Sequence, residues 1–387
     1  MTTNSKKRVL LSCGTKFHSD YVAYELEKQQ LLERIVTAHP PRWYFNRVSL
    51  TMSKVKFLPP IFAVLTLLNK IVDRTSIVSK WLEYQMPFWF DKWASYFIGN
   101  SNVLIVWAWS ALNTMQKMKQ IGGICLLEEC GSCNQFQNEL LDEEYKKWGL
   151  VFKDYTPKHI IKREFEEVEI ADYILCPSKH VANSFIKFGV SENKFVIIPY
   201  GVSLQHFRVL GTQKKEFTVL YVGTVGVRKG IVYLFQALEL LKDRINFKCI
   251  VIGSLEEQFE PLFNQYKHLF THIPRVPHTE LINYYNDASV FVLPTLDEGM
   301  ALVQLEAMAC GLPVIATTNS GADSIIEDGE NGFIVPIRNA EAIVEKIEIV
   351  YQDKKLLHTM SINAANKAKT FTWDNYGVKL SKFINSL

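Results

Sequence analysis

Short, wholly apolar runs recur along this chain, each followed by a stretch with helical spacing, and the series occurs twice. The first series holds Val9-Leu10-Leu11, Val103-Leu104-Ile105-Val106, Ile124-Cys125-Leu126-Leu127 and Tyr173-Ile174-Leu175-Cys176. The second holds 217–222 (FTVLYV), 249–252 (CIVI), 289–293 (SVFVL), 314–317 (VIAT) and 333–335 (FIV). A strand with one face in water alternates apolar and polar residues. A strand with no polar side is covered on both faces, which means parallel sheet between layers of helix. Two such series predict an α/β chain of two doubly wound domains, with ligand in the crevice at the carboxyl ends of the strands.

The length agrees, since 387 residues exceed one ordinary core and suit two domains. The punctuated stretch IIPYGVSLQHF, with Pro199 and Gly201, marks the join. The expected division is an N-terminal domain over 1–196, a linker over 197–207 and a C-terminal domain over 208–370. A final helix over 371–387, with Phe371, Trp373, Tyr376, Leu380 and Phe383 on one face, is expected to pack back onto the N-terminal domain.

Charge narrows the function. A net charge of +3 lacks the basic footprint of a nucleic-acid binder, so no nucleic-acid partner is expected. The seven cysteines form no framework, the N-terminus has too short an apolar run for a signal peptide, and no window has the length to span a bilayer. Reduced thiols and a cytoplasmic location are therefore expected. One stretch stands apart. Between Arg42 and Lys80 there are seven basic residues against one acid, Asp73, and six of the eight tryptophans lie between 43 and 109. Two readings stay open: a helical hairpin with its aromatics in the core, or an anionic membrane surface met through 42–110, which would make the protein peripheral on the inner face of the membrane.

The segment with most chemistry is 289–335, SVFVLPTLDEGMALVQLEAMACGLPVIATTNSGADSIIEDGENGFIV. Its strand ends at Pro294, an acidic loop follows, and a helix starts near Ala301 and is stopped by Gly311 and Pro313. The backbone at Gly299, Met300, Ala301, Leu302 and Val303 then offers amides to a diphosphate. Glu306, a turn into the helix, suits a ribose diol, and Glu298 in the loop suits sugar hydroxyls. Upstream, Gly223 closes a strand and Arg228-Lys229 open a helix, where a guanidinium and an ammonium suit a diphosphate.

Glu298-x7-Glu306, with Gly299-Met300 inside it and Ala307-Met308-Ala309-Cys310-Gly311-Leu312-Pro313 after it, resembles the donor-site signature of glycosyltransferase family four. Ser320-Gly321, Glu327-Asp328-Gly329 and Asn331-Gly332 extend the resemblance, as do Ala171-Asp172, Pro177-Ser178 and Pro199-Tyr200-Gly201-Val202. It implies the GT-B fold, two Rossmann-like domains facing a central cleft. It also implies a retaining, metal-independent transferase with no cofactor, using a UDP-, GDP- or ADP-sugar as co-substrate and a glycan or lipid-linked acceptor, in bacterial cell-surface polysaccharide or glycolipid synthesis. On this reading Glu298, Arg228 and Lys229 are catalytic, Lys229 matching the family's phosphate-binding lysine, and no metal is held.

Gly14, in the first strand-to-helix loop, would let backbone approach the donor, and His18 in the same loop is expected to be solvated. Three departures are visible. Thr224 stands where many members have arginine, and Cys130 and Asn134 replace the arginine and histidine of a bacterial subgroup's Arg-Gly-Ser-x-His. No Asp-x-Asp, Gly-x-Gly-x-x-Gly or Walker A pattern occurs. A GT-B sugar-nucleotide epimerase and a catalytically inactive partner subunit stay open as alternatives.

Overall fold

The structure is a computed structural model that describes residues 6–14, 17–38, 52–57, 77–211 and 216–387. Most of the basic stretch, 39–51 and 58–76, lies outside the described residues, and so does the membrane surface read from it.

Two parallel sheets carry the chain. The first runs in the order β3 (Val55–Phe57), β2 (Leu32–Thr37), β1 (Val9–Cys13), β4 (Val103–Trp107), β5 (Ile124–Glu128), β6 (Tyr173–Cys176), β7 (Phe195–Ile197). The second runs β10 (Thr271–Ile273), β9 (Lys248–Ile252), β8 (Thr218–Val222), β11 (Val290–Leu293), β12 (Val314–Thr317), β13 (Gly332–Val335). The central strands β1, β4, β8, β11 and β12 are buried at every residue, which is why they read as unbroken apolar runs. In each sheet the strand order reverses once, between β1 and β4 and between β8 and β11. Those reversals open a crevice at the carboxyl ends.

The strands that apolar runs did not reveal are β2, β3, β7 and β10. β3, β7 and β10 are three-residue outer strands with partly exposed faces, and β2 carries Glu33 and Arg34 in its interior. β3 also corrects the helical-hairpin reading, because the chain at 55–57 adds an edge strand to the first sheet. A helix, Ile77–Ala94, does follow it.

The last helix, Trp373–Ser386, lies against the helix Ser19–Lys28. Trp373 stacks on Tyr21 at 4.1 Å, and Phe383 meets Tyr173 edge-on at 5.0 Å. A Cβ on Gly377 would fall 2.2 Å from Glu25 Cγ, so the two helices approach where only glycine fits. Among the described residues no helix is long and apolar enough to cross a membrane.

Candidate active site

Two loops of the second sheet build the site, one after β8 and one after β11. Gly230 lets them meet: its φ is +58°, and a Cβ there would lie 2.0 Å from the Pro294 carbonyl oxygen. The Leu296 amide donates to the Arg228 carbonyl at 2.9 Å, and the Arg228 guanidinium donates to the Asp297 carbonyl at 3.0 Å. From the other side, the Glu298 amide donates to the Asn319 carbonyl at 2.9 Å. Held this way, Glu298 receives both Arg228 and Lys229 on one carboxylate oxygen. Burial alone would raise the Glu298 carboxyl, but Lys229 and Arg228 outweigh it and hold the group below the usual carboxylate range. Burial, together with the neighbouring Arg228, holds the Lys229 ammonium below its usual range against the pull of Glu298. The result is a half-buried trio with two cations on one anion.

Beside it the helix Leu302–Ala309 begins, its first amides having no carbonyl a turn back to accept them. Met300 and Ala301 are buried at its start, while Leu302 is exposed. Glu306 projects from this helix and is fixed at both oxygens: Tyr285 Oη donates at 3.0 Å, and His278 Nε2 lies 2.8 Å away. The Glu306 contact raises the pKa of His278, whose ring is largely exposed. Each carboxylate oxygen keeps a second lone pair for a ligand hydroxyl.

Gly223 ends β8 at a crowded place, since a Cβ on the facing Gly253 would lie 1.8 Å from its carbonyl oxygen. Gly14 sits apart, at the end of β1 in the other sheet, with Phe90 3.1 Å from where a Cβ would be. The Thr224 carbonyl accepts the Tyr221 hydroxyl at 2.6 Å.

The residue that sequence reasoning missed is Asp297. It is 1% exposed, and three side chains of the first domain converge on its carboxylate: Ser132 Oγ, Gln137 Nε2 and His180 Nε2, each at 2.7 Å. Next to it, Ser178 Oγ caps its own helix and donates to the Gly299 carbonyl at 2.6 Å. Gly299 is a glycine for contact reasons as well, since a Cβ would come 1.9 Å from the Cys130 carbonyl oxygen. The donor-side loop is thus docked on the first domain. A second bridge lies farther out, where Glu144 accepts from Tyr233 Oη and Arg338 Nε, both at 2.5 Å. No local pattern announces these pairings, whose members are 89 to 194 residues apart.

His18 corrects the expectation of a solvated loop. It is 6% exposed, lies 2.9 Å from Glu128, and is ringed by Trp107, Tyr200, Trp373 and Tyr376. Asn134 bonds through its amide to the buried Glu164 at 2.5 Å and accepts from Thr156 Oγ1 at 3.0 Å, a structural use of that position. Cys130 and Cys133 are both free thiols.

Residues 203–367 match the family model described as glycosyl transferases group 1. The capsular polysaccharide biosynthesis glycosyltransferase CapM of Staphylococcus aureus is 34% identical over 197 residues, 46% of this chain and 51% of that protein. The chain thus spans about half the length of that curated relative. Among solved structures, sucrose-phosphate synthase of Thermosynechococcus elongatus superposes with a TM-score of 0.70 at 19% identity, covering 98% of this chain and 99% of that one. Anabaena HepE, solved in complex with UDP, gives 0.67 at 12% identity, covering 98% and 100%. The chain has the GT-B fold, and its residues 203–367 match the model of the group 1 glycosyl transferases.

Proposed function

We propose that this protein transfers a sugar from a nucleotide-diphospho-sugar to a hydroxyl acceptor, with retention at the anomeric carbon. The observation that carries the reading is the pairing of Arg228 and Lys229 on Glu298 at the start of the helix Leu302–Ala309. Two cations on one carboxylate leave positive charge to spare. A diphosphate entering between them and the first-turn amides of Met300 to Val303 meets a site of matched sign. When the bond from the anomeric carbon to phosphate oxygen breaks, the departing diphosphate gains charge, and the same two cations stabilise it. The acceptor oxygen bonds to the anomeric carbon, and its proton passes to a leaving phosphate oxygen, so no protein base is needed. Glu306 takes the ribose diol, its carboxylate already oriented by Tyr285. Glu298 is shared between the cations and the hydroxyls of the donor sugar.

A metal-independent transfer agrees with this arrangement, since arginine and lysine supply the charge that a cation would. The domain limits fit as well, with 1–196 on the acceptor side, 197–207 as hinge and 208–370 holding the donor. CapM acts in capsular polysaccharide biosynthesis and HepE was solved with UDP, so a UDP-sugar and a glycan or lipid-linked acceptor at the cytoplasmic face are the first choices. The test is to incubate the chain with a UDP-sugar and a panel of glycan and lipid-linked acceptors, then read the product by NMR. An α-linked product from an α-linked donor is expected. A β-linked product removes retention, and sugar isomerisation without transfer replaces the reading with an epimerase.

A further inference from the structure

The carboxyl ends of β1 and β5 lie on either side of β4 and bring three side chains together that the transfer reaction does not use. His18 stands at the start of the helix after β1, Glu128 is the last residue of β5, and Cys130 follows two residues on. One ligand atom from each lies within 4.8 Å of the other two. His18 and Glu128 are buried and Cys130 is partly buried. Nε2 of His18 and Oε1 of Glu128 are 2.9 Å apart, yet the nitrogen is not aligned for a hydrogen bond with any acceptor.

The surroundings are short of positive charge. Glu128 and Glu129 are neighbours in sequence and both are buried, and among the described residues no lysine or arginine forms an ion pair with either. Glu128 Oε2 and Glu129 Oε1 are buried with no hydrogen-bond partner. Orphaned buried acceptors are costly unless something else satisfies them.

We propose that His18, Glu128 and Cys130 bind a divalent cation of the zinc class. Imidazole, carboxylate and thiolate together suit zinc or cobalt rather than magnesium, which prefers oxygen alone. Three protein ligands leave a fourth position for water. The cation supplies the charge that Glu128 lacks and ties the loop after β1 to the end of β5. That end continues into Cys130-Gly131-Ser132, the strip on which Gly299 and Asp297 dock. The role is to brace the acceptor-side face of the cleft, and all three ligands come from the first domain. The diphosphate remains with Arg228 and Lys229.

The experiment uses the full chain, stripped with a chelator and titrated with Co2+. One equivalent is expected to bind with a near-ultraviolet thiolate-to-cobalt charge-transfer band, and Zn2+ is expected to displace it and raise the melting temperature. Cys130→Ser, close to isosteric, should keep the circular dichroism spectrum, lose the band and bind at least tenfold more weakly. His18→Gln should weaken binding while keeping the band. No saturable cobalt binding by the wild type overturns the proposal. So does a band of equal intensity in Cys130→Ser, which would assign the thiolate to another of the seven cysteines. Neither readout depends on donor or turnover, so failure here leaves the transferase reading standing.

Discussion

The two domains share a fold and differ in where they keep their charge. In the second domain, Asp297 and Glu306 are the only buried acids among the described residues, and both face the cleft or its edge. The first domain buries Asp20, Glu25, Asp91, Glu128, Glu129, Glu144, Glu164 and Glu167, several of them in the interior. Asp91 and Glu167 share Arg163, and Glu167 also accepts the amides of Trp109, Ala111 and Leu112 at 2.7–3.2 Å. The second domain thus carries an apolar core with a polar rim, and the first carries a polar network inside its core. A network of that kind is rigid when complete and costly when one member is lost.

The comparison yields predictions in order of size. The largest concerns the rim. Replacing Arg228 and Lys229 together with alanine removes both cations and leaves Glu298 half-buried and unpaired. Nucleotide diphosphate affinity should fall about 100-fold or more by calorimetry, since each charge-assisted bond is worth roughly 1.5–3 kcal/mol. An affinity unchanged within about threefold would remove the diphosphate from this site.

Asp297→Asn comes next. The variant keeps the shape but weakens three contacts between the domains. Turnover should drop about tenfold while donor affinity changes by less than about threefold, the split expected of a positioning residue. A matched loss in both would place Asp297 in donor binding instead. Glu306→Gln should weaken nucleotide binding about tenfold, from the loss of one charged hydrogen-bond acceptor. A 2′,3′-dideoxy nucleotide should show no difference between wild type and variant.

How much of this was legible follows from the same contrast. The donor side is built from one contiguous stretch, 289–335, with Arg228-Lys229 in the loop after the neighbouring strand β8, so strand, loop and helix spacing carried Glu298 and Glu306 into view. The central strands were legible because full burial leaves no polar residue in them. The first-domain face is assembled from positions 18, 91, 128–134, 164–167 and 178–180, and no local pattern joins them. His18 looked like a loop histidine because the rings that cover it come from β4, the 197–207 linker and the last helix. Asp297 was passed over beside its neighbour Glu298, since its partners lie over a hundred residues upstream. Edge strands such as β10 escaped because half-exposed residues break the apolar run.

The smallest effect concerns pH. Burial pushes the Glu167 carboxyl up to about 7, against the pull of Arg163 and the amides it accepts. A carboxyl raised on folding binds its proton more tightly in the folded chain, so its contribution is complete below about pH 4.5 and is lost as pH rises to about 7. Chemical denaturation should show the first domain losing stability over that window. Glu167→Gln should flatten the slope there, at some cost in overall stability. A slope that Glu167→Gln leaves unchanged would assign the pH dependence elsewhere.

The central claim is that the second domain's rim is a nucleotide-diphosphate site, and direct titration of the wild-type chain tests it. UDP, GDP and ADP, each followed by the corresponding sugar nucleotides, are added in a calorimeter at low ionic strength. The account predicts saturable one-to-one binding of at least one nucleotide, tighter for the diphosphate than for the monophosphate and weakened by salt. Absence of binding by all three, or equal binding of mono- and diphosphate, would contradict it.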